Sequence, residues 1–240
     1  MKISVSYNHP ESFLGKFSSM LTLRRNTRAF MSVKERRQRE REARKQLILD
    51  ASERLIKLKG IDVMTMTDVA NEAELAKGTL YLYFKNKDQL LAALSLRGLH
   101  ILLDLFKKAA SSHENCKEKI KAMIRANFEY FKKYPAYYEL NASFESKFSA
   151  VAVEELQPIS DEIYSMFNEI IKKGLEEGSI HSSVNSTYLA HLLWSMTVGV
   201  IQFINVRGMI FDPESGNTPE DMFDQFIKLI DTGMTGKVIG

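Results

Sequence analysis

With 240 residues, of which 45% are hydrophobic and 26% charged, the chain can bury a sizeable core and is not typical of a disordered protein. Only 12 Gly and 5 Pro occur, and few segments alternate polar with apolar residues, so the composition favours an all-α protein over a sheet protein. The single cysteine, Cys116, excludes an internal disulfide and a cysteine-cluster metal site, which fits a reducing cytoplasm.

The net charge of +3 is unevenly distributed along the chain. Residues 1–100 contain 19 Lys and Arg against 11 Asp and Glu, a net charge of +8, whereas residues 101–240 contain 14 against 19, a net charge of −5. A basic front followed by an acidic remainder indicates contact with nucleic acid at one end of the molecule. A patchy solvated surface is the alternative interpretation of the same charges.

Residues 1–31 show no sustained hydrophobic period and contain three arginines, so we expect a flexible basic N-terminal arm. Translation from Met31 is an alternative, in which the arm is not part of the functional protein. No signal peptide is predicted, and no run of about 18 apolar residues predicts a membrane span. We therefore expect a cytoplasmic protein.

The first helix is predicted to begin at Ser32, since Glu35 three residues later completes a capping box. Residues 34–45 contain seven basic and three acidic residues, and amphipathic spacing starts at Ile48 and lasts until Gly60. The basic stretch either reaches into a neighbouring DNA groove or is a solvated helix face with i,i+4 ion pairs.

Two short helices and one long helix are predicted next. Thr65, with Asp68, caps the first, and the second runs from about Ala76 to Phe84. Asn86 and Gln89 form a further capping-box pattern at the start of a long helix that reaches about residue 110. Later helices are predicted at residues 116–133, 135–147, 154–177, 186–207 and 219–234.

Two short helices joined by a tight turn form a helix-turn-helix, whose second helix enters the major groove of DNA. The apolar residues that lock these two helices together are predicted to be Val69, Ala70, Leu75, Leu80 and Phe84. The residues left to face outward are Lys77, Gly78, Thr79, Tyr81 and Tyr83. A lysine charge, a threonine hydroxyl and methyl, and two phenols suit base edges and phosphates, so this segment predicts DNA binding.

Residues 46–92 closely resemble the DNA-binding domain of the TetR (tetracycline repressor) family. The resemblance rests on Ile48-Leu49-Asp50-Ala51, Gly60, Val69-Ala70, Lys77-Gly78-Thr79-Leu80-Tyr81, Tyr83-Phe84, Lys87 and Leu90, all in register. It implies an all-α fold with a three-helix DNA-binding domain at residues 32–92, joined by a long helix to a ligand-binding and dimerisation domain at residues 93–240.

The same resemblance implies the DNA contacts. By match to the motif these are Thr65, Thr67, Lys77, Gly78, Thr79, Tyr81, Tyr83 and Lys87. The chain departs from the family pattern at Ala76, where a Ser or Thr usually caps the recognition helix, so the Ala76 side chain is assigned no role in DNA binding.

The remainder of the chain is rich in aromatic residues and methionine, most of which belong to a helical core. A cavity between helices is expected, with Phe131, Tyr138, Glu145, Phe167, His191 and Trp194 as candidate wall residues. Two apolar stripes predict a dimer interface made of the last two helices, with Leu193, Val200, Phe203, Phe223, Phe226 and Ile230 as candidates.

The resemblance implies a transcriptional repressor that binds a palindromic double-stranded operator as a homodimer and is released by an unidentified small-molecule effector. The alternative is a ligand-independent DNA-binding protein with a structural or chromosome-organising role. An enzyme is not expected, because no phosphate loop, metal-ligand cluster or dinucleotide fingerprint occurs. We accordingly predict no cofactor, no metal site and no membrane partner.

Overall fold

The structure, a computed structural model, describes residues 32–147, 150–207 and 218–235, and between residues 142 and 153 it describes at most the backbone. The predicted N-terminal arm, residues 1–31, lies outside the described residues. The chain divides into two compact units, one ending at Gln46 and one beginning at Leu47, and each is described by itself.

The described residues are almost entirely helical, which confirms the all-α prediction. The helices are α1 (Val33–Lys59), α2 (Met66–Glu72), α3 (Lys77–Tyr81), α4 (Lys87–Ser111), α5 (Cys116–Lys133), α6 (Pro135–Lys147), α7 (Ala150–Glu176), α8 (Ser186–Val206) and α9 (Pro219–Met234).

Local signals explain where several helices begin and end. Ser32 and Glu35 form the predicted capping box, with Ser32 N donating to Glu35 Oε2 at 2.8 Å. Gly60, at φ +83°, ends α1 in a left-handed conformation that glycine adopts without a steric penalty. The predicted ranges 116–133, 135–147 and 219–234 match α5, α6 and α9, whereas α7 begins four residues before the predicted start.

In the first unit, the described residues form the N-terminal part of α1. Its side chains are exposed except that of Lys45, which is half-buried. Arg36 Nε lies 3.8 Å from Glu40 Oε1, and Gln46 Nε2 donates to Glu42 Oε1 at 3.0 Å. The predicted i,i+4 pair therefore forms, and several arginines in this stretch have no ion pair among the described residues.

In the second unit, α4 is the central helix and packs against α5, α6 and α7. Leu90, Leu94, Leu102 and Phe106 are at most 4% exposed and follow its buried face. By length and composition alone, α4 and α8 would be long and apolar enough to cross a membrane. Half of the apolar window of α4 is buried inside the protein, as in a core helix, against a third of that of α8.

Candidate DNA-binding site and ligand cavity

The helices α2 and α3 form the predicted helix-turn-helix. Val69, Ala70, Leu80 and Phe84 are at most 3% exposed and belong to one apolar core. In the turn between the helices, Glu74 adopts φ +54°, a left-handed conformation that is unfavourable for a residue with a side chain. Nothing in the sequence predicts this conformation, because Glu carries no signal for a positive φ.

The start of α2 is fixed by the capping box that the sequence predicts. Thr65 Oγ1 accepts from Asp68 N at 3.2 Å, and Thr65 N donates to Asp68 Oδ2 at 2.8 Å. Lys59 Nζ lies 2.6 Å from the same Asp68 oxygen. Hydrogen bonds from Lys59 and Thr65 hold the pKa of Asp68 well below its usual range, so the carboxylate stays charged.

The outward face of the helix-turn-helix is open to solvent. Thr67, Lys77, Gly78 and Tyr81 are exposed, and Thr79 is half-buried. A Cβ added to Gly78 would meet no heavy atom within 4 Å. Nothing inside the protein therefore requires a glycine at this position, although glycine weakens a helix.

The recognition helix α3 is shorter than predicted, since it ends at Tyr81 rather than near Phe84. Ala76 is its N-cap and makes no side-chain hydrogen bond there, as expected from the departure noted in the sequence. Beyond Tyr81 the chain continues as a tight turn in which Tyr83 N and Phe84 N both donate to Leu80 O. Tyr83 is half-buried and packs against the core.

Lys87 lies at the first position of α4, where a phosphate contact was predicted. Its Nζ donates to the carbonyl oxygens of Ile61 at 2.6 Å and Asp62 at 3.2 Å. The ammonium group thus ties the segment after α1 to the start of α4. The predicted capping box at this helix forms only in part: Asn86 accepts from Gln89 N, but the Gln89 side chain accepts from Lys85 N instead.

A cavity of about 540 Å³ lies among α4, α5, α6, α7 and α8. Four of the six predicted wall residues line it: Tyr138, Phe167, His191 and Trp194. Phe131 is not among its lining residues, because its ring packs against Phe128 and Tyr138, at centroid distances of 6.1 Å and 5.2 Å. Glu145 lies outside the residues whose side chains are described.

The cavity also has polar wall residues that were not predicted from the sequence, among them Ser95 and Asn127, which are at most 2% exposed. The sequence pattern of α5 does indicate Asn127 as an unusual position. It occupies a position on the apolar face of α5, which it shares with the buried Ile120 and Ile124. A polar residue in such a stripe is either satisfied by a partner inside the protein or available to a ligand.

Two hydrogen-bonded groups link the helices around the cavity. Ser95 Oγ donates to Asn141 Oδ1, and Asn141 Nδ2 donates to Tyr130 Oη at 3.2 Å. One turn before Asn141 on α6, Tyr137 Oη donates to Glu53 Oε2 of α1 at 2.5 Å.

Burial would raise the pKa of Glu53, but hydrogen bonds from Lys57 and Tyr137 outweigh it and keep that pKa below its ordinary value. Glu53 is therefore an anion at neutral pH, and its bond with Tyr137 is charge-assisted.

Four of the six candidate dimer residues are buried inside the chain, whereas the prediction places them at a surface that meets a partner. Leu193, Phe223, Phe226 and Ile230 are at most 7% exposed and are covered by helices of the same chain, so they offer no surface to a partner. Phe223 stacks on Phe128 at a centroid distance of 4.2 Å. Phe203 is 43% exposed, and Val200 is half-buried.

The region that contains the helix-turn-helix matches known proteins. Residues 48–94 match the family model described as bacterial regulatory proteins of the tetR family. An HTH-type transcriptional regulator of Haemophilus influenzae is 39% identical over 61 residues, which are 25% of this chain and 33% of that relative. The regulator YvdT of Bacillus subtilis is 26% identical over 150 residues, 61% of this chain and 74% of its own length.

Residues 48–94 form a domain of the tetR family. The matched segment includes α2, α3 and the start of α4, so the helix-turn-helix lies within this domain.

Solved structures of TetR-family regulators share the fold of the chain beyond the helix-turn-helix. FadR of Bacillus subtilis, solved in complex with stearoyl-CoA, superposes with a TM-score of 0.66 at 17% identity, covering 78% of this chain and 98% of FadR. The TetR-family regulator PfmR of Thermus thermophilus superposes with a TM-score of 0.61 at 22% identity, with the same coverage.

Proposed function

We propose that the chain is a TetR-family repressor that binds a palindromic operator as a homodimer and leaves it when a small molecule enters the C-terminal cavity. The observation that carries the proposal is the uncovered outward face of α3, where Lys77, Gly78 and Thr79 lie beside an anchored α2. We assign residues 32–92 to DNA binding and residues 93–240 to effector binding and dimerisation, and we place the protein in the cytoplasm, with its DNA.

The predicted DNA contacts differ in whether their side chains are accessible or already bonded within the protein. Lys77, Gly78, Thr79 and Tyr81 belong to α3 and are at least partly accessible, so we assign base and backbone contacts to them. The side chain of Thr65 already caps α2, and the Lys87 ammonium already binds two carbonyl groups. We assign to these two residues the task of holding the helix-turn-helix in shape, with any phosphate contact as an additional role.

The dimer surface is proposed to be the apolar stripe on α8 that the described residues leave uncovered, together with one residue of α9. Its residues, between 42% and 69% exposed, are Tyr188, Leu192, Met196, Phe203, Val206 and Leu229. The α8 members recur at helical spacing along one side, which suits an isologous pairing with a second copy. Pairing would also cover the apolar surface that makes α8 resemble a membrane span.

The effector site is proposed to be the cavity of about 540 Å³, a volume in the range of small-molecule sites. The structurally similar FadR was solved with stearoyl-CoA, which supports a ligand in this domain. A ligand that binds better to a conformation unsuited to DNA lowers operator affinity by its differential affinity for the two conformations.

Footprinting on the DNA that flanks the protein's own gene tests this function. We expect a protected palindrome, and we expect Thr79→Ala to reduce discrimination between this site and a site with an altered base pair by about tenfold or more. A variant with Thr187→Ala, far from α3 along the chain, is the control. Equal loss of affinity on every DNA sequence from Thr79→Ala would contradict base reading by Thr79.

A further inference from the structure

The cavity has two chemically different ends. The polar residues of its buried end, from α4, α5 and α6, are Ser95, Asn127, Tyr130, Tyr138 and Asn141. The polar residues of its open end, from α7 and α8, are Gln157, Ser160, Asp161, Tyr164 and His191, most of them exposed. The remaining lining residues have aliphatic or aromatic side chains.

At the buried end, two polar side chains are left without a partner. The Tyr138 hydroxyl is buried and has no hydrogen-bond partner in the part of the chain that the structure describes. The Asn127 side chain, 2% exposed, likewise forms no hydrogen bond with any described residue. Ser95, Asn141 and Tyr130 satisfy one another in the same place. Buried polar groups are normally paired, so an unpaired donor and an unpaired amide in a cavity wall indicate a ligand that pairs with them.

The Tyr138 hydroxyl can donate a hydrogen bond to such a ligand. Burial raises the pKa of Tyr138, so its hydroxyl stays protonated throughout the physiological range and can donate. The Asn127 amide offers both a donor and an acceptor. The two groups therefore fit a ligand oxygen, whether this belongs to a carbonyl, which only accepts, or to a hydroxyl, which also donates.

The charges around the cavity disfavour an anion. Among the described lining residues there is no lysine or arginine, and the carboxylate of Asp161 stands at the open end. His191 Nδ1 lies 2.8 Å from the Thr187 carbonyl oxygen and 3.0 Å from the Tyr164 hydroxyl, so protein groups already occupy this nitrogen. An anionic ligand group would lose its water at the buried end without gaining a cation, which is unfavourable.

We propose that the effector is a neutral, mainly apolar molecule whose carbonyl or hydroxyl oxygen binds Tyr138 and Asn127 at the buried end of the cavity. The proposal rests on the function proposed above, in which this cavity is the effector site. It adds the chemical class of the ligand and the two residues that recognise it.

Trp194 allows a direct test, because it is the only tryptophan of the chain and lines the cavity. Its fluorescence is titrated with methyl hexyl, methyl octyl and methyl decyl ketone, and with octanoate, decanoate and dodecanoate, which have the same numbers of carbon atoms. At neutral pH we expect a saturable change with at least one ketone, and binding at least about tenfold weaker for the carboxylate of equal length.

Two variants test the assigned residues. Tyr138→Phe removes only the hydroxyl, and Asn127→Leu replaces the amide by an apolar group of similar size. Each is expected to weaken binding of the best ketone about three- to tenfold without lowering the Tm, since neither group bonds within the protein. Tyr134→Phe is the matched control, because Tyr134 lies beside Tyr130 but does not line the cavity, and it should leave ketone affinity unchanged.

The result that overturns the proposal is a carboxylate that binds as tightly as its ketone, ketone affinity unchanged in both variants, or no saturable response to any ketone. A gel shift on the operator separates this outcome from the proposed function. A ketone that binds through Tyr138 but releases no DNA supports the ligand class and contradicts release by this site. Release of DNA by a carboxylate alone supports the proposed function and overturns the ligand class.

Discussion

At the scale of the residue, the stability of α3 does not explain the glycine at position 78. It lies inside α3, where glycine is unfavourable, yet a Cβ at this position would meet only open space. The stability of the protein alone would favour alanine. The proposed close approach of DNA to the backbone of α3 accounts for the smallest residue at an exposed position of this helix.

We therefore expect Gly78→Ala to raise the free energy of unfolding by about 0.5–1 kcal/mol and to weaken operator binding. Urea denaturation gives the first quantity, and fluorescence anisotropy with labelled operator gives the second. The two quantities should change in opposite directions, which a general folding defect cannot produce. If operator affinity is unchanged while stability rises, Gly78 does not lie against DNA.

At two other positions, a residue that the motif predicts to contact DNA is bonded within the protein. Thr65 and Lys87 match the family positions, but the structure gives their polar atoms protein partners: Asp68 for the threonine, and the carbonyl groups of Ile61 and Asp62 for the lysine. Each therefore stabilises the helix-turn-helix. A loss of DNA binding on their replacement would include a loss of local order.

At the scale of the element, α6 contacts both the cavity and α1, and it packs against α4. Tyr138 and Asn141 line the cavity, whereas Tyr137 donates to Glu53 of α1. The packing at this place is close, because a Cβ on Gly98 of α4 would lie 2.9 Å from the Tyr137 Cβ. A displacement of α6 by a ligand would therefore act directly on α1 and α4.

This arrangement predicts that Tyr137→Phe uncouples ligand binding from DNA release. The variant should bind the best ketone and the operator with near-normal affinity, while the ketone-induced loss of operator affinity falls by about fivefold or more. Trp194 fluorescence and operator anisotropy measure the two affinities. Tyr134→Phe, which removes a neighbouring hydroxyl, should retain normal coupling. Undiminished release in Tyr137→Phe would show that the bond to Glu53 does not transmit the change.

At the scale of the whole molecule, the exposed stripe on α8 and Leu229 is proposed to hold two copies together. A charge placed in this stripe should separate them, since a buried unpaired carboxylate is unfavourable. Leu192→Glu is expected to give a particle with the mass of a single chain, 27.5 kDa, in sedimentation at micromolar concentration. Operator affinity should fall at least about a hundredfold, because each half-site is then bound independently.

Leu58→Glu is the matched control for this prediction. Leu58 is 78% exposed on α1, so the same substitution adds the same charge outside the α8 stripe and should leave the mass unchanged. A wild-type protein that sediments as a single chain, or a dimeric Leu192→Glu variant, would contradict the proposed interface.

The sequence by itself determined the helices and the helix-turn-helix, because their signals are local. The capping residues Ser32 and Thr65 lie where α1 and α2 begin, and apolar spacing places Val69, Ala70 and Leu80 in one core. These interactions join residues a few positions apart, so spacing alone predicts them.

Only the tertiary structure decided which side chains meet across the fold. Asn127 and Tyr138 line one cavity, whereas Phe131 belongs to the packed core, and helical spacing alone does not separate these cases. On α8, the sequence predicts Leu193 in an interface, but packing buries Leu193 and leaves the neighbouring Leu192 51% exposed. The physical reason is that contacts between helices distant along the chain determine which apolar face becomes core and which polar group remains unpaired.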